Sequence, residues 1–368
     1  MKIAFLGYHK PTSRFNGVAT VILQQTQWLE EHGHTVLHYH LFSKEEYRNL
    51  SNFLIDNKVD IAVWHMTSFK VHLNGKLPCP LICLYHSNPN VVDPEYYTKF
   101  IAKYHIPLFI KKLLSVKFLS SVLNFIHFLY YQLFFVYITS KANRMVLLSK
   151  NYITDFFAAK IFPSKVISIS NSCDMPFIEN EIERSKTVVF LGRLHNEHKG
   201  VDMLLRIWGK IEKEFTDWRL LICGDGPDRD VLLEYARFLR LERVDFQGFI
   251  PPPLASKILQ NSSIFCLTSR IEGFGIVLVE AERSGAVPIA FDSYPVAKEL
   301  IDNGVNGILI RPFDEDEYSK QLAKLMSNPV LLNTMSIAGI EKSKNYTVDK
   351  IMSQWMTLYN DLLLTKLK

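Results

Sequence analysis

Short apolar runs of strand length alternate with helix-length segments along most of this chain, and the alternation restarts once. The first series contains "KIAFLGY", a helical "GVATVILQQTQWLEEHG" ending at Gly33, then "HTVLHYHLF", "IAVWHM" and "PLICLYH". After a long insertion it resumes with "RMVLLSK" and "KVISIS". A polar stretch, "IENEIERSK", follows, and the pattern begins again with "TVVFLGRL", "WRLLICGDG", "VDFQGF", "SIFCLTS" and "AVPIAFD". These runs are too continuously apolar for a half-exposed antiparallel sheet. They fit strands covered on both faces by crossover helices, so the expected class is α/β with two doubly wound, Rossmann-like parallel sheets. The boundaries predicted are 1–175 for the first domain, 176–345 for the second and 346–368 for a closing helix. That helix carries an apolar stripe through Met352, Trp355, Leu358 and Leu362.

A length of 368 residues suits two domains, and 48% hydrophobic residues suffice to fill two cores. The net charge of +5 is mild: it favours phosphates or acidic headgroups as partners and does not call for nucleic acid. Cys79, Cys83, Cys173, Cys223 and Cys266 are scattered without a Cys-x-x-Cys pair, which predicts reduced thiols and a cytoplasmic setting. The opening "MKIAFLGYHK" reads as a buried first strand and not as a signal peptide.

The insertion, about 100–141, is basic and aromatic. Lys99, Lys103, Lys111, Lys112 and Lys117 are interleaved with Phe, Ile and Leu, and no formal charge occurs from Phe118 to Ser140. Three readings are open: interfacial helices on an anionic membrane, ordinary core helices, or a span. The lysines favour the first, and a span would place the halves of one sheet on opposite sides of a bilayer. Ser120, Asn124, His127 and Tyr131 recur at helical spacing and predict a polar stripe.

The segment "SRIEGFGIVLVEAERSG" carries the most chemistry. Gly273 and Gly275 allow close backbone approach, and a loop entering a helix N-terminus offers free N–H groups to a phosphate. Glu272 at the loop and Glu280 inside the helix are acceptors for hydroxyls. In "FLGRLHNEHKG", Arg193 and Lys199 stand just past a strand and can neutralise a diphosphate. A ligand with phosphates and many hydroxyls, such as a nucleotide sugar, satisfies both motifs.

With "GRLHNEHKG", "CGDGPDRDVLLEYARFL", "VDFQGF", "CLTSRIEGFGIVLVEAERSGAVPIAFD" and "ELIDNGVNGILI" in that order, the chain resembles the family 4 retaining glycosyltransferases of GT-B architecture. The resemblance implies two domains facing a central cleft, with the C-terminal helix returning to the N-terminal domain. It implies diphosphate binding by Arg193 and Lys199, sugar contact by Glu272 and ribose contact by Glu280. The backbone of Phe274, Gly275 and Ile276 would hold phosphate, and Gly248 and Phe249 would lie by the base. Gly17 corresponds to the family's glycine-rich loop, where Asn16 replaces the usual first glycine, and His86 to an acceptor-side histidine. The implied reaction is metal-independent transfer of a hexose or N-acetylhexosamine from a UDP-sugar to a glycan or lipid-linked acceptor. Its setting would be cell-surface polysaccharide or lipopolysaccharide synthesis at the inner face of the membrane. A sugar-nucleotide epimerase or phosphorylase, and an inactive membrane-bound partner subunit, are the alternatives.

Weaker signals have simpler explanations. Asp228 and Asp230, like Asp314 and Asp316, precede helices and read as caps rather than metal ligands. His38 and His40 share a strand face without a nearby ligand partner. "GDGPD" lacks the last glycine of a dinucleotide fingerprint.

Overall fold

The computed structural model describes residues 1–7, 11, 17–66, 76–89, 117–178 and 184–366; at 117–124 and 366 it describes the backbone alone. Asn16 and residues 100–116 of the insertion lie outside the described residues. The chain divides into two compact units: residues 1–10, 29–169 and 356–368 form the first, and 11–28 with 170–355 the second.

In the first unit, strands β1 (Lys2–Gly7), β2 (Thr35–His40), β3 (Ile61–Met66), β4 (Leu81–Tyr85), β5 (Arg144–Leu147) and β6 (Val166–Ser168) form a parallel sheet ordered β2-β1-β3-β4-β5-β6. Every residue of β3 and β4 is buried, as unbroken apolar runs require. The helices are α1 (Gly17–Glu31), α2 (Lys44–Asp56), α3 (Lys117–Lys141), α4 (Lys150–Asp155) and α5 (Phe157–Ile161). The part of α1 before Leu29 groups with the second unit, where Gln24 accepts from Ser172 Oγ at 3.0 Å and Trp28 Nε1 donates to Asp349 at 2.7 Å.

A capping box of Ser43 and Glu46 starts α2, and Glu46 also lies 2.7 Å from His40 Nδ1. The His40 interaction and backbone N–H donors hold the Glu46 carboxyl down at about 2. His38 packs edge-on against Phe5 at 5.7 Å, so the two histidines of that strand face have separate structural roles.

The described part of the expected polar stripe on α3 points inward: His127 is buried, Tyr131 is half-buried and their rings are 5.2 Å apart. Phe135 anchors that buried face, with Tyr85 at 4.9 Å and Phe156 at 5.1 Å. Ile126, Tyr130, Leu133 and Tyr137 are exposed on the opposite face. Lys165 Nζ closes the carbonyl end of α3, donating to Thr139 O (3.2 Å), Ser140 O (2.9 Å) and Ala142 O (2.8 Å). Among the described residues no helix is long and apolar enough to cross a membrane.

The second unit repeats the plan with β7 (Ser185–Leu191), β8 (Arg219–Cys223), β9 (Val244–Gly248), β10 (Ser262–Leu267), β11 (Val287–Phe291) and β12 (Ile308–Ile310). They are all parallel, ordered β12-β11-β10-β7-β8-β9. Its helices are α6 (Asn196–Lys199), α7 (Val201–Ile211), α8 (Arg229–Phe238), α9 (Pro252–Asn261), α10 (Ile276–Arg283), α11 (Ala297–Leu300), α12 (Glu315–Met326), α13 (Pro329–Ser343) and α14 (Val348–Lys366). From Met356 onward α14 groups with the first unit. Trp208, Phe190 and Phe291 lie in the core, and Tyr318 donates its hydroxyl to Ile289 O at 2.6 Å. Losing a side chain such as Trp208 costs about 3–5 kcal/mol. All five cysteines are buried and free, and burial pushes the Cys223 and Cys266 thiols up to about 12.

Chain order places a switch point in this sheet. Strands β7, β8 and β9 run outward in one direction, and β10, β11 and β12 in the other, leaving β7 and β10 as neighbours. In a parallel sheet the loops leaving two such strands share the carboxyl edge with a crevice between them. The Arg193–Lys199 motif leaves β7, and the Glu272–Glu280 motif leaves β10.

Candidate functional site

Close backbone contact fixes the loop after β7. Gly224 has φ +146°, and a Cβ there would lie 1.8 Å from Gly192 O. Leu194 is fully buried and its N–H donates to Asp225 O at 2.9 Å. Asp228 accepts from Asn196 N at 2.6 Å, so it caps α6 across the loop, not the α8 it precedes. Asp314 accepts from Glu317 N at the start of α12, Asp316 pairs with Lys210 at 2.7 Å, and Asp230 is 3.7 Å from Arg229. The two acids of each Asp-x-Asp pair thus engage different partners.

The loops after β7 and β10 are joined by polar contacts. Arg270 N and Ile271 N donate to His198 O at 2.7 and 3.2 Å, and Thr268 Oγ1 to Lys199 O at 3.2 Å. The Arg270 guanidinium donates to Asn196 O at 2.8 Å and pairs with Asp202 at 3.1 Å. These contacts bring the Lys199 ammonium onto Glu272, which also accepts from Ser269 Oγ at 2.8 Å. Ser269 O in turn accepts from Ser293 Oγ at 2.6 Å. The Lys199 and Glu272 side chains are 22% and 10% exposed, so the pair is shielded yet open to a ligand.

Arg193 extends into solvent from the same loop and has no ion pair among the described residues. Gly275 enters α10 at φ +79°, where a Cβ would meet Tyr294 Oη at 2.5 Å. No side chain caps this helix, so its first N–H groups, from Ile276 on, face the loop. Phe274 is buried 6.1 Å from the Tyr346 ring and anchors the turn. Glu280 is half-buried on α10; burial and then its charge raise the Cys173 thiol to about 12.

Gly248 ends β9 at φ +70° with open space where a Cβ would stand, and Phe249 beside it is 70% exposed. Gly17 opens α1, again with no atom within 4 Å of a Cβ position. His86 belongs to the first unit, just after β4, with Nε2 3.0 Å from His65 Nδ1 and the two rings stacked. Burial lowers its pKa to about 3 and lowers that of His65 as well, so both imidazoles are neutral near pH 7.

Sequence spacing did not reveal Ser269, Arg270, Asn196 or Asp202, which hold the two motifs together. Glu282, a third acid beside Glu280, is structural: it is buried, accepts from Asn306, and burial raises its carboxyl well above the usual range. Arg283 is buried too, donating to Cys173 O, Met175 O and Ser343 O at 2.6, 3.0 and 3.2 Å. His195, Glu197 and His198 place ligand-type atoms within 4.8 Å of one another, a cluster that could hold a cation.

The arrangement is thus a cationic loop, a carboxylate and an open helix N-terminus at one sheet switch point. Residues 174–342 match the family model for glycosyl transferases group 1. An uncharacterized glycosyltransferase of Haemophilus influenzae is 33% identical over 199 residues, covering 53% of this chain and 55% of that one. The amylovoran biosynthesis glycosyltransferase AmsD of Erwinia amylovora is 29% identical over 231 residues, covering 60% of this chain and 62% of its own length. The chain therefore spans little more than half the length of these curated relatives. In fold it is similar to Anabaena HepE crystallised with UDP, at a TM-score of 0.72 and 17% identity, covering 98% of this chain and all of the other. Its two α/β units have the GT-B fold. Over residues 174–342, the segment that holds Lys199, Glu272 and Glu280, the chain is similar to the group 1 glycosyl transferases.

Proposed function

We propose that the protein is a retaining glycosyltransferase that moves a hexose or N-acetylhexosamine from a UDP-sugar to a glycan or lipid-linked acceptor. The observation that carries this reading is the meeting of Lys199 with Glu272 beside the uncapped start of α10. A diphosphate laid along that helix start would take the Lys199 and Arg193 charges, and Glu272 would turn to sugar hydroxyls. Glu280 then faces the ribose, and Gly248 and Phe249 flank the base. His86, in the first unit, is neutral near pH 7 and suits the acceptor side as a hydrogen-bonding partner.

In the reaction, the bond from sugar C1 to the β-phosphate oxygen breaks with its electron pair leaving on the phosphate. The acceptor oxygen bonds to C1 on the same face, and its proton passes to the departing phosphate. Lys199 and Arg193 stabilise the charge that develops there, a contribution of two to three orders of magnitude for a single strong donor. No metal is required in this reading, and the His195, Glu197 and His198 cluster takes no part.

The amylovoran relative supports a role in cell-surface polysaccharide synthesis. The exposed apolar face of α3 supports peripheral contact with the inner face of the membrane. The test incubates the protein with UDP-glucose, UDP-galactose, UDP-GlcNAc and UDP-GalNAc, with and without a lipid-linked glycan extract, following product C1–H by NMR. Transfer with the donor's anomeric configuration supports the reading. An inverted product contradicts it, and sugar isomerisation without acceptor points to an epimerase instead.

A further inference from the structure

At the edge of the first sheet opposite to His86, a cavity of 430 Å³ opens where β4 and β5 begin. Buried Leu81 and Leu362 line it, and Lys76, Lys141 and Arg144 contribute three cations, with no carboxylate among the lining residues. None of the three cations pairs with an acid among the described residues. Arg144 Nη1 reaches only the neighbouring Asn143 carbonyl at 2.9 Å, and the Lys141 ammonium stands 5.8 Å from the Tyr137 ring. Lys165 is engaged nearby with the α3 carbonyls, and burial followed by the charge of Arg144 lowers its pKa. Concentrated positive charge of this kind repels itself and gains from a phosphate.

A second feature runs into the same cavity. The exposed residues Ile126, Tyr130, Leu133 and Tyr137 on α3 are spaced i, i+4, i+7 and i+11, and Lys141 continues the line at i+15. An apolar strip roughly 22 Å long, at 1.5 Å per residue, therefore ends in the cationic cavity. Apolar area that leads into unpaired cations matches an amphiphile with an anionic head.

We propose that this cavity binds the phosphate headgroup of an anionic phospholipid while the α3 strip meets its glycerol and acyl region. It is a second binding site, at the opposite edge of the sheet from the carboxyl ends of its strands. The proposal deepens the membrane-contact part of the function given above, and its test needs no donor, acceptor or turnover. Lys76, Arg144 and Leu362 come from separate segments, so the site exists only in the folded chain.

The test is flotation of the full chain with phosphatidylcholine vesicles, with and without phosphatidylglycerol. Wild type is expected to float with the phosphatidylglycerol vesicles and to stay behind with phosphatidylcholine alone. At about 1 kcal/mol per basic residue near an anionic surface, removing two charges in Lys141→Gln/Arg144→Gln lowers partition about 25-fold. The charge-matched control Lys213→Gln/Lys257→Gln, exposed positions of the second unit, keeps wild-type partition. Leu133→Asp is expected to weaken binding without touching a cation, and circular dichroism with thermal melting checks that each variant is folded. Glycerol 1-phosphate and inorganic phosphate form the soluble arm. Stabilisation by either without vesicle binding would assign the cavity to a free phosphoester and overturn the lipid proposal. Equal loss in the control pair, or undiminished flotation of Lys141→Gln/Arg144→Gln, would overturn it as well.

Discussion

Lys199 and Glu272 neutralise one another in a site only partly open to water, and that pairing sets what each substitution does. Under the proposed function, replacing Lys199 by Ala would remove the donor to the departing phosphate and leave Glu272 as an uncompensated negative charge beside the diphosphate. Turnover is expected to fall at least about a hundredfold. kcat/KM should fall further than kcat, because in this reading Lys199 both holds the bound diphosphate and meets the charge that develops on it. A rise in KM with kcat intact would assign Lys199 to ground-state binding alone. Gly275→Ala acts differently: the residue holds φ +79°, and a Cβ would press on Tyr294 Oη at 2.5 Å. Loss of about 1–3 kcal/mol of stability is expected in urea unfolding, with weaker nucleotide binding from displacement of the α10 start. An unchanged unfolding midpoint would show that the turn accommodates a side chain.

At the scale of elements, the site is the junction of two loops that the strand order makes neighbours. Arg270 joins them, reaching Asn196 O at 2.8 Å and Asp202 at 3.1 Å. Arg270→Ala should lower stability by only about 1 kcal/mol, since its partners retain access to water. It should nevertheless weaken nucleotide affinity severalfold, because Lys199 and Glu272 lose their common frame. Calorimetric titration of UDP against wild type and Arg270→Ala separates the affinity effect from the stability effect: equal affinities would show that the loops hold their positions independently. The chemical motifs were readable in the sequence because each lies within one short segment, with its glycines and charges in fixed order. The contacts of Ser269, Arg270, Asn196 and Asp202 were not, because they depend on β10 returning beside β7 after two intervening strands. The direction in which the α3 stripe points was not readable, for a related reason. Helical spacing groups His127 with Tyr131 but does not say which face meets Phe135 and the sheet, and the core took the face with the histidine.

For the molecule as a whole, the repeated βα alternation made both parallel sheets legible, since continuous apolar runs have few other ways to be buried. The composition of each unit was legible only in part: residues 356–368 group with the first unit, to which the resemblance has the C-terminal helix return, whereas nothing in the sequence marked residues 11–28 for the second. Segment exchange of this kind depends on tertiary contacts such as Trp28 with Asp349. Stability should also respond to acid through His65 and His86. Both have pKa values lowered by burial, His86 to about 3, so the unfolded chain takes up protons below about 6.5 that the folded chain does not. Stability is therefore highest above that pH and falls as pH drops from 6.5 toward 3, by up to about 1.4 kcal/mol per pH unit for each histidine. His86→Gln should flatten the slope relative to wild type in urea melts across that window; parallel slopes would show that His86 titrates normally.

The most direct test of the proposed donor site is thermal melting of the purified chain with UDP, GDP, ADP and CMP, each with and without EDTA. A ligand at a hundred times its dissociation constant adds about 2.7 kcal/mol of stability, enough for a clear shift. Selective stabilisation by UDP that survives EDTA and is lost in Lys199→Ala is the expected result. No shift with UDP at saturating concentration, or a shift that EDTA abolishes, would contradict a metal-independent UDP-sugar site built on Lys199 and Glu272.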